Sequence, residues 1–193
     1  MKKNLALLFA VLMLALAGCN GGGEKNPSGQ NNPTDAPITT AEPTEEPKNN
    51  HVVDYKLNIP DGFEPTEQDG LDACWFRADG SNINLVTAEK EAATDAGFQV
   101  ITADMLRVTL VDQMKSVYDL DVEITDRYFT RNEVSGMPAY QYCYDMDLAG
   151  QLMTQLIVSV NADKVYTFTY TANDEDILAA FEESAKSIQL IFE

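Results

Sequence analysis

From residue 52 onward, hydrophobic and polar positions recur with two different periods, and the chain divides where the period changes. In "VVDYKLNI", Val53, Tyr55, Leu57 and Ile59 alternate with Asp54, Lys56 and Asn58, which predicts a strand over 52–59 with one buried face. Pro60-Asp61-Gly62 closes it as a turn. Residues 71–78, "LDACWFRA", read as a second strand ended by the hairpin dipeptide Asp79-Gly80. Residues 82–88 read as a third, with Ile83, Leu85 and Thr87 on one side.

The period then lengthens. Over 103–118 apolar residues fall at Leu106, Leu110, Met114 and Val117, with Met105, Val108 and Val111 widening the stripe. That spacing predicts a helix with a broad buried face. Thr102 is placed to cap it, and Asp104 suits the positive end of its dipole. Alternation returns over 122–131. A turn at Ser135-Gly136-Met137-Pro138 leads to 139–148, where Tyr140, Tyr142, Tyr144 and Met146 share one face and Gln141, Cys143, Asp145 and Asp147 the other. Turns at Ala149-Gly150 and Asn161-Ala162-Asp163 set off strands over 152–160 and 165–171. A closing helix over 174–187 carries Leu178, Phe181, Ala185 and Ile188, with Asn173 as its expected cap. The order is βββ-α-ββββ-α. Short turns between successive strands imply an antiparallel sheet, and two amphipathic helices must lie against it, so the class is α+β.

The first fifty residues follow a different rule. Lys2 and Lys3 precede twelve uninterrupted apolar residues, "LALLFAVLMLAL", and then Ala17, Gly18 and Cys19. This is the layout of a secretory signal. Twelve residues rise ~18 Å as a helix, short of a ~30 Å hydrocarbon core. Leu16-Ala17-Gly18-Cys19 resembles the lipobox of bacterial lipoproteins. That resemblance implies removal of 1–18, a diacylglyceryl group on the Cys19 sulfur with further acylation such as palmitate, and anchoring by more than one chain, which is stable where a single chain is marginal. Residues 20–50 are rich in Gly, Asn, Pro, Thr and Glu, and Ile38 is their only sizeable aliphatic residue. Such a composition cannot offset the entropy of ordering. The segment reads as a tether spanning ~30 Å as a flexible chain and ~95 Å if fully extended. The expected organisation is therefore signal 1–18, lipidated Cys19 with its tether over 19–50, and one domain over 51–193. The expected location is the extracytoplasmic face of a cell membrane, and the tether composition resembles that of lipoproteins from Gram-positive bacteria.

Charge narrows the partners. Residues 51–193 carry 9 basic and 26 acidic side chains, a net of −17. Such a domain repels nucleic acid and anionic lipid headgroups. Chemistry-bearing motifs are scarce. His51 is the only histidine and stands where tether meets domain, so a triad or zinc site has little to build on. Gly21 to Gly23 follow no strand and make no phosphate loop. No cofactor is indicated, and no enzyme. Carboxylates are abundant; Asp145 and Asp147, sharing a strand face, are the best candidate pair for a calcium ion, though no EF-hand-type loop is present. Cys74 and Cys143 suit small core residues, or a disulfide in an exported protein. Tyr140, Tyr142 and Tyr144 read as core under a helix, or as an aromatic stripe for a partner.

The element order, with Pro60-Asp61-Gly62-Phe63 after the first strand, Gly136-Met137-Pro138-Ala139 before the long hairpin and Phe181, Ser184, Ser187 and Ile188 in the closing helix, resembles the Mog1/PsbP-like superfamily over all of 51–193. The resemblance implies an α/β/α sandwich built on an antiparallel sheet. Its members include a photosystem subunit, a Ran-binding nuclear protein and bacterial envelope lipoproteins, which share binding to another macromolecule without chemistry. It transfers no functional residue. The expectation is a non-catalytic, lipid-anchored domain engaging a protein or envelope component; the alternative is a small-ligand or calcium-binding accessory of a membrane transporter.

Overall fold

The computed structural model describes residues 51–148 and 150–193. The signal, Cys19 and the tether lie outside the described residues. The domain is α+β. Strands are β1 (Val52–Lys56), β2 (Glu64–Pro65), β3 (Ala73–Phe76), β4 (Asn82–Ala88), β5 (Val122–Val134), β6 (Met137–Leu148), β7 (Gln151–Asn161), β8 (Val165–Ala172) and β9 (Gln189–Phe192). Helices are α1 (Thr94–Val100), α2 (Ala103–Tyr118) and α3 (Leu178–Lys186), the last entered through a 3-10 turn at Glu175–Ile177. Seven strands form one antiparallel sheet in the order β2-β3-β4-β8-β7-β6-β5, and β1 pairs with β9 in a separate antiparallel ribbon.

The central sheet is buried on both faces, which is why β7 reads almost continuously apolar as "LIVSV". On one side Tyr140, Tyr142, Tyr144 and Met146 of β6 meet Leu106, Leu110 and Met114 of α2. On the other, Cys143, Leu156, Val158, Phe168, Tyr170 and Leu85 pack under Phe181 and Ala185 of α3 and Leu190 of β9. Phe181 is fully buried, its ring 5.5 Å from Phe63 and 5.2 Å from Tyr170. A buried phenyl of this kind contributes several kcal/mol.

Several boundaries differ from expectation, each for a physical reason. β1 is not part of the main sheet. It pairs only with β9, which follows α3 beyond the predicted helix over 174–187, where no element is expected from the sequence. A register shift between Val52 and Asp54 turns Val53 outward, half-exposed rather than buried with Tyr55. Helix α1 is an addition: seven residues burying only Thr94 and Phe98, too short for a periodic stripe. The α2 stripe is narrower than expected. Leu106, Leu110 and Met114 are buried, but Met105, Val108 and Val117 are half-exposed or more. Met105 and Val108 lie across the helix from that row, and Val117 sits in the last turn before the left-handed Asp119 (φ 53°). The Thr102 cap is present, its side chain accepting from the Met105 N–H at 3.3 Å. Asn173 does not cap the last helix. Asp174 caps the 3-10 turn, while the Asn173 side-chain amide donates to the Asp79 carbonyl of the β3–β4 turn. Gly80 in that turn has φ +89°, which favours glycine, and a Cβ there would lie 2.9 Å from the Asn173 amide nitrogen and displace it from the Asp79 carbonyl.

Candidate functional site

The residues with chemical potential are placed first by sheet register. Cys74 on β3 and Cys143 on β6 are both free and buried. Between their strands lie β4, β8 and β7, so four inter-strand steps of ~4.8 Å separate them by ~19 Å, far beyond the ~7 Å reach of a disulfide. They also face opposite ways: register carries Cys74 through Asn84, Thr169 and Ile157 to Tyr142, the neighbour of Cys143 that points to the other side. The disulfide is ruled out. Burial pushes both thiols up to about 11, so neither is a thiolate nucleophile near neutral pH.

Asp145 and Asp147 do not form a cation site. The Asp145 carboxylate receives the Arg127 guanidinium at 2.8 and 2.9 Å and the Thr154 hydroxyl at 2.7 Å. Arg127 is the extra residue of a register shift in β5 and also reaches Glu175 at 3.0 Å, so the trio ties the β5 edge to the 3-10 turn. Asp147 instead accepts from the Gly150 N–H of the β6–β7 turn. Among the described residues no group of three or more His, Cys, Asp or Glu side chains is placed to hold a metal. Asp119 and Asp121 are bridged by Lys115 at 3.2 and 3.1 Å.

The tyrosine stripe is core. Tyr140, Tyr142 and Tyr144 are 4%, 0% and 1% exposed, which removes them as a docking stripe. Leu106, Leu110 and Met114 of α2 pack against them, together with Phe98 of α1. Their hydroxyls are satisfied sideways: Tyr142 donates to Asp126 at 2.6 Å and Tyr144 to the Gln155 carbonyl at 2.5 Å. Burial first, and for Tyr142 also Asp126, push these hydroxyls well above their ordinary range.

His51 is held at the entrance to the domain. Its Nδ1 lies 3.0 Å from Asp163 in the β7–β8 turn. Asp163 also accepts from the N–H groups of Val52 and Lys164 and from the Tyr166 hydroxyl. Burial alone would raise this carboxyl, but the accepted hydrogen bonds outweigh it and hold it below the usual carboxylate range. A depressed value adds stability above the unfolded pKa, ~3.9, that is lost as pH falls through the folded one. Asp163→Asn is therefore expected to cost about 1–3 kcal/mol at neutral pH. Thermal melts from pH 7 down to pH 2 check this: the gap between variant and wild type should close at the acid end.

One arrangement was not singled out from sequence. On β8, "VYTFTYTA" sends Tyr166, Phe168 and Tyr170 toward α3 and Thr167, Thr169 and Thr171 to the α2 side. On β4, Asn82 and Asn84 share that second side, opposite Thr171 and Thr169. On β7, Gln155 and Ser159 continue it, opposite Thr171 and Thr167. The hydrophobic cluster under α2 draws side chains from β5, β6 and β7 and none from β4 or β8. The face thus changes along each row from aromatic beneath α2 to neutral polar beside it. The signal in sequence was the alternating threonine of β8 together with "NIN" in β4, which alone looks like an ordinary solvated strand face.

An open depression of about 700 Å3 lies elsewhere, along Pro65 to Trp75 at the β2 end of the sheet, with Cys74 among its lining residues. It gathers Glu67, Asp69 and Asp72 with no basic side chain among its lining residues. No described helix is long and apolar enough to cross a membrane.

No protein-family profile matches the chain, and no curated protein matches it. Solved structures do. CyanoP, the cyanobacterial PsbP of Synechocystis, superposes with a TM-score of 0.54 at 16% identity, over 71% of this chain and 86% of that one. LpqN of Mycobacterium tuberculosis, described as involved in cell envelope biogenesis, aligns at a TM-score of 0.42 and 14% identity over 70% of this chain and 82% of its own. A Bacteroides thetaiotaomicron protein aligns at 0.44 and 12% over 72% of this chain and 46% of its own. The last two are too distant in shape to bear on the argument. At 16% identity the first speaks for architecture alone: the domain has a PsbP-like fold.

Proposed function

We propose that this is a non-catalytic binding domain, held at the outer face of a bacterial cell membrane through a lipidated Cys19 and engaging a protein or another envelope component. The observation that carries the reading is the fate of the reactive groups. Both described thiols are buried with raised pKa values. Asp145 is clamped by Arg127 and Thr154, and Asp163 is spent on His51, Val52, Lys164 and Tyr166. These thiols and carboxylates are thus committed to the core or to joining strands and turns. Catalysis needs a positioned group with a matched pKa that faces a substrate. The PsbP-like fold is compatible with an interaction role and by itself assigns no activity. The tether gives the domain reach from the membrane, and its charge of −17 favours neutral or basic partners over phosphate-bearing ones.

The experiment is chemical cross-linking in intact cells, followed by purification of the full-length protein and mass spectrometry. A discrete adduct mapped to side chains in 51–193 is expected. Recovery of the protein linked to nothing but membrane lipid would overturn the reading.

A further inference from the structure

We propose that the outer edge of β5 pairs with the same edge of a second copy of this chain, antiparallel and two-fold symmetric about Asn132. The inference goes beyond the binding-domain reading and does not depend on which envelope component is engaged.

The two edges of the seven-stranded sheet differ. β2 is two residues long and one of them is Pro65, which blunts that edge against further pairing. β5 runs for thirteen residues, and among the described residues β6 is its only strand partner. The direction of its backbone groups follows from the hairpin. Ser135 and Gly136, with φ of 54° and 79°, form a two-residue turn, so Val134 and Met137 exchange hydrogen bonds. Stepping back by twos, Asn132 and Thr130 also point their N–H and C=O at β6. Glu133 and Arg131 therefore point theirs away from it, into solvent. Pro138, opposite Glu133, agrees with this phase, since it has no N–H to give to a bonded pair. The register shift at Arg127 ends the regular run on the other side.

Side-chain charge selects the occupant and the register. Residues 51–193 hold 9 basic and 26 acidic side chains, whereas 122–134 hold two arginines and three acids, so two copies repel each other least here. Arg131 and Glu133 share the α2 side of the strand with Phe129. The Arg131 guanidinium donates to the carbonyl of Phe98 at 2.9 Å and to that of Ile101, and lies 5.7 Å from the centre of the Phe129 ring. It has no carboxylate partner among the described residues. Glu133 is exposed and has no cationic partner among them. An uncompensated positive and an uncompensated negative charge thus stand two residues apart on one edge. A two-fold axis through Asn132 sets each opposite the other in the second copy, and opposite charges facing across strands stabilise the pairing. The outward backbone groups of residues 131 and 133 then bond to each other across the axis. An axis through Arg131 or through Glu133 would set like charges face to face. One through Thr130 would call on Arg127, which is already held by Asp145 and Glu175. Val100, an exposed apolar residue, adjoins the Ile101 carbonyl that Arg131 reaches and adds apolar surface near this edge.

The test is disulfide trapping in the full-length protein in detergent. In the proposed register Asn132 faces its own copy as a non-hydrogen-bonded pair, with Cα atoms ~4.5 Å apart and within disulfide reach. Asn132→Cys, oxidised with copper phenanthroline, is expected to run as a covalent dimer on a non-reducing gel. Wild type, whose Cys74 and Cys143 are buried, sets the background. Glu123→Cys, exposed on the same strand but far from the axis, should stay at that background. Adding Glu133→Arg to Asn132→Cys opposes arginine to arginine and should cut the dimer at least ~5-fold, with the melting temperature unchanged within a few degrees. No dimer from Asn132→Cys, an equal yield from Glu123→Cys, or a yield unmoved by Glu133→Arg overturns the proposal. Absence of the dimer together with a cellular cross-link mapped to 129–133 would give the edge to a strand of another protein, which also overturns it and leaves the binding-domain reading standing.

Discussion

Phe181→Ala is expected to lower the melting temperature of the domain by on the order of 10–15 °C. The ring is fully buried and touches three layers at once: Phe63 after β1, Tyr170 on β8, and the α3 backbone that carries it. Removing it deletes the transfer free energy of a phenyl group and leaves a cavity that the rigid sheet beneath cannot fill. Such changes cost about 3–5 kcal/mol, and each kcal/mol moves a domain of this size by roughly 3 °C. Val108→Ala is the control. Val108 belongs to the same kind of amphipathic pattern but is half-exposed, and a surface truncation should stay within ~0.5 kcal/mol. A Phe181→Ala protein melting within 3 °C of wild type would mean that α3 does not anchor this face of the sheet.

Cys19→Ala is expected to move nearly all of the protein from the membrane pellet to the supernatant. The argument is one of area. Each buried methylene of an acyl chain contributes ~0.8 kcal/mol, so the proposed diacylglyceryl group would hold a domain none of whose described helices is long and apolar enough to cross a membrane. The domain supplies no electrostatic substitute, because a net charge of −17 is repelled by anionic headgroups. Fractionation with and without detergent reads the distribution, and intact mass reads the acyl groups. A variant that still sediments with membranes, together with an unmodified Cys19 in the wild type, would remove the lipid anchor from the account.

The fold was legible wherever a period and its punctuation agreed. Helix α2 was readable because Thr102 caps it and Leu106, Leu110 and Met114 recur at four-residue spacing. The faces of β6 were readable because every second residue is aromatic or sulfur-bearing. The β1–β9 ribbon was not, because its two strands lie at opposite ends of the domain sequence and nothing local couples Tyr55 to Leu190. The outward turn of Val53 depends on that pairing, so it was hidden for the same reason. Asn173 looked like a cap because amides cap helices; only the approach of the β3–β4 turn gives it another partner. The acidic pair failed as a site because Arg127, eighteen residues before Asp145 in sequence, is brought beside it by the β5 register shift. The neutral row was missed for a subtler reason. Threonine and asparagine in a strand are ordinary on a solvated face, and only the register across three strands places them in one buried polar row.

The central claim is binding without chemistry, and one measurement tests it most directly. The component captured by cross-linking is isolated and titrated with the full-length protein by isothermal calorimetry, and its mass is recorded before and after overnight incubation. Saturable binding with an unchanged mass is the predicted result. A captured component that returns cleaved, or otherwise altered in mass, would contradict the account.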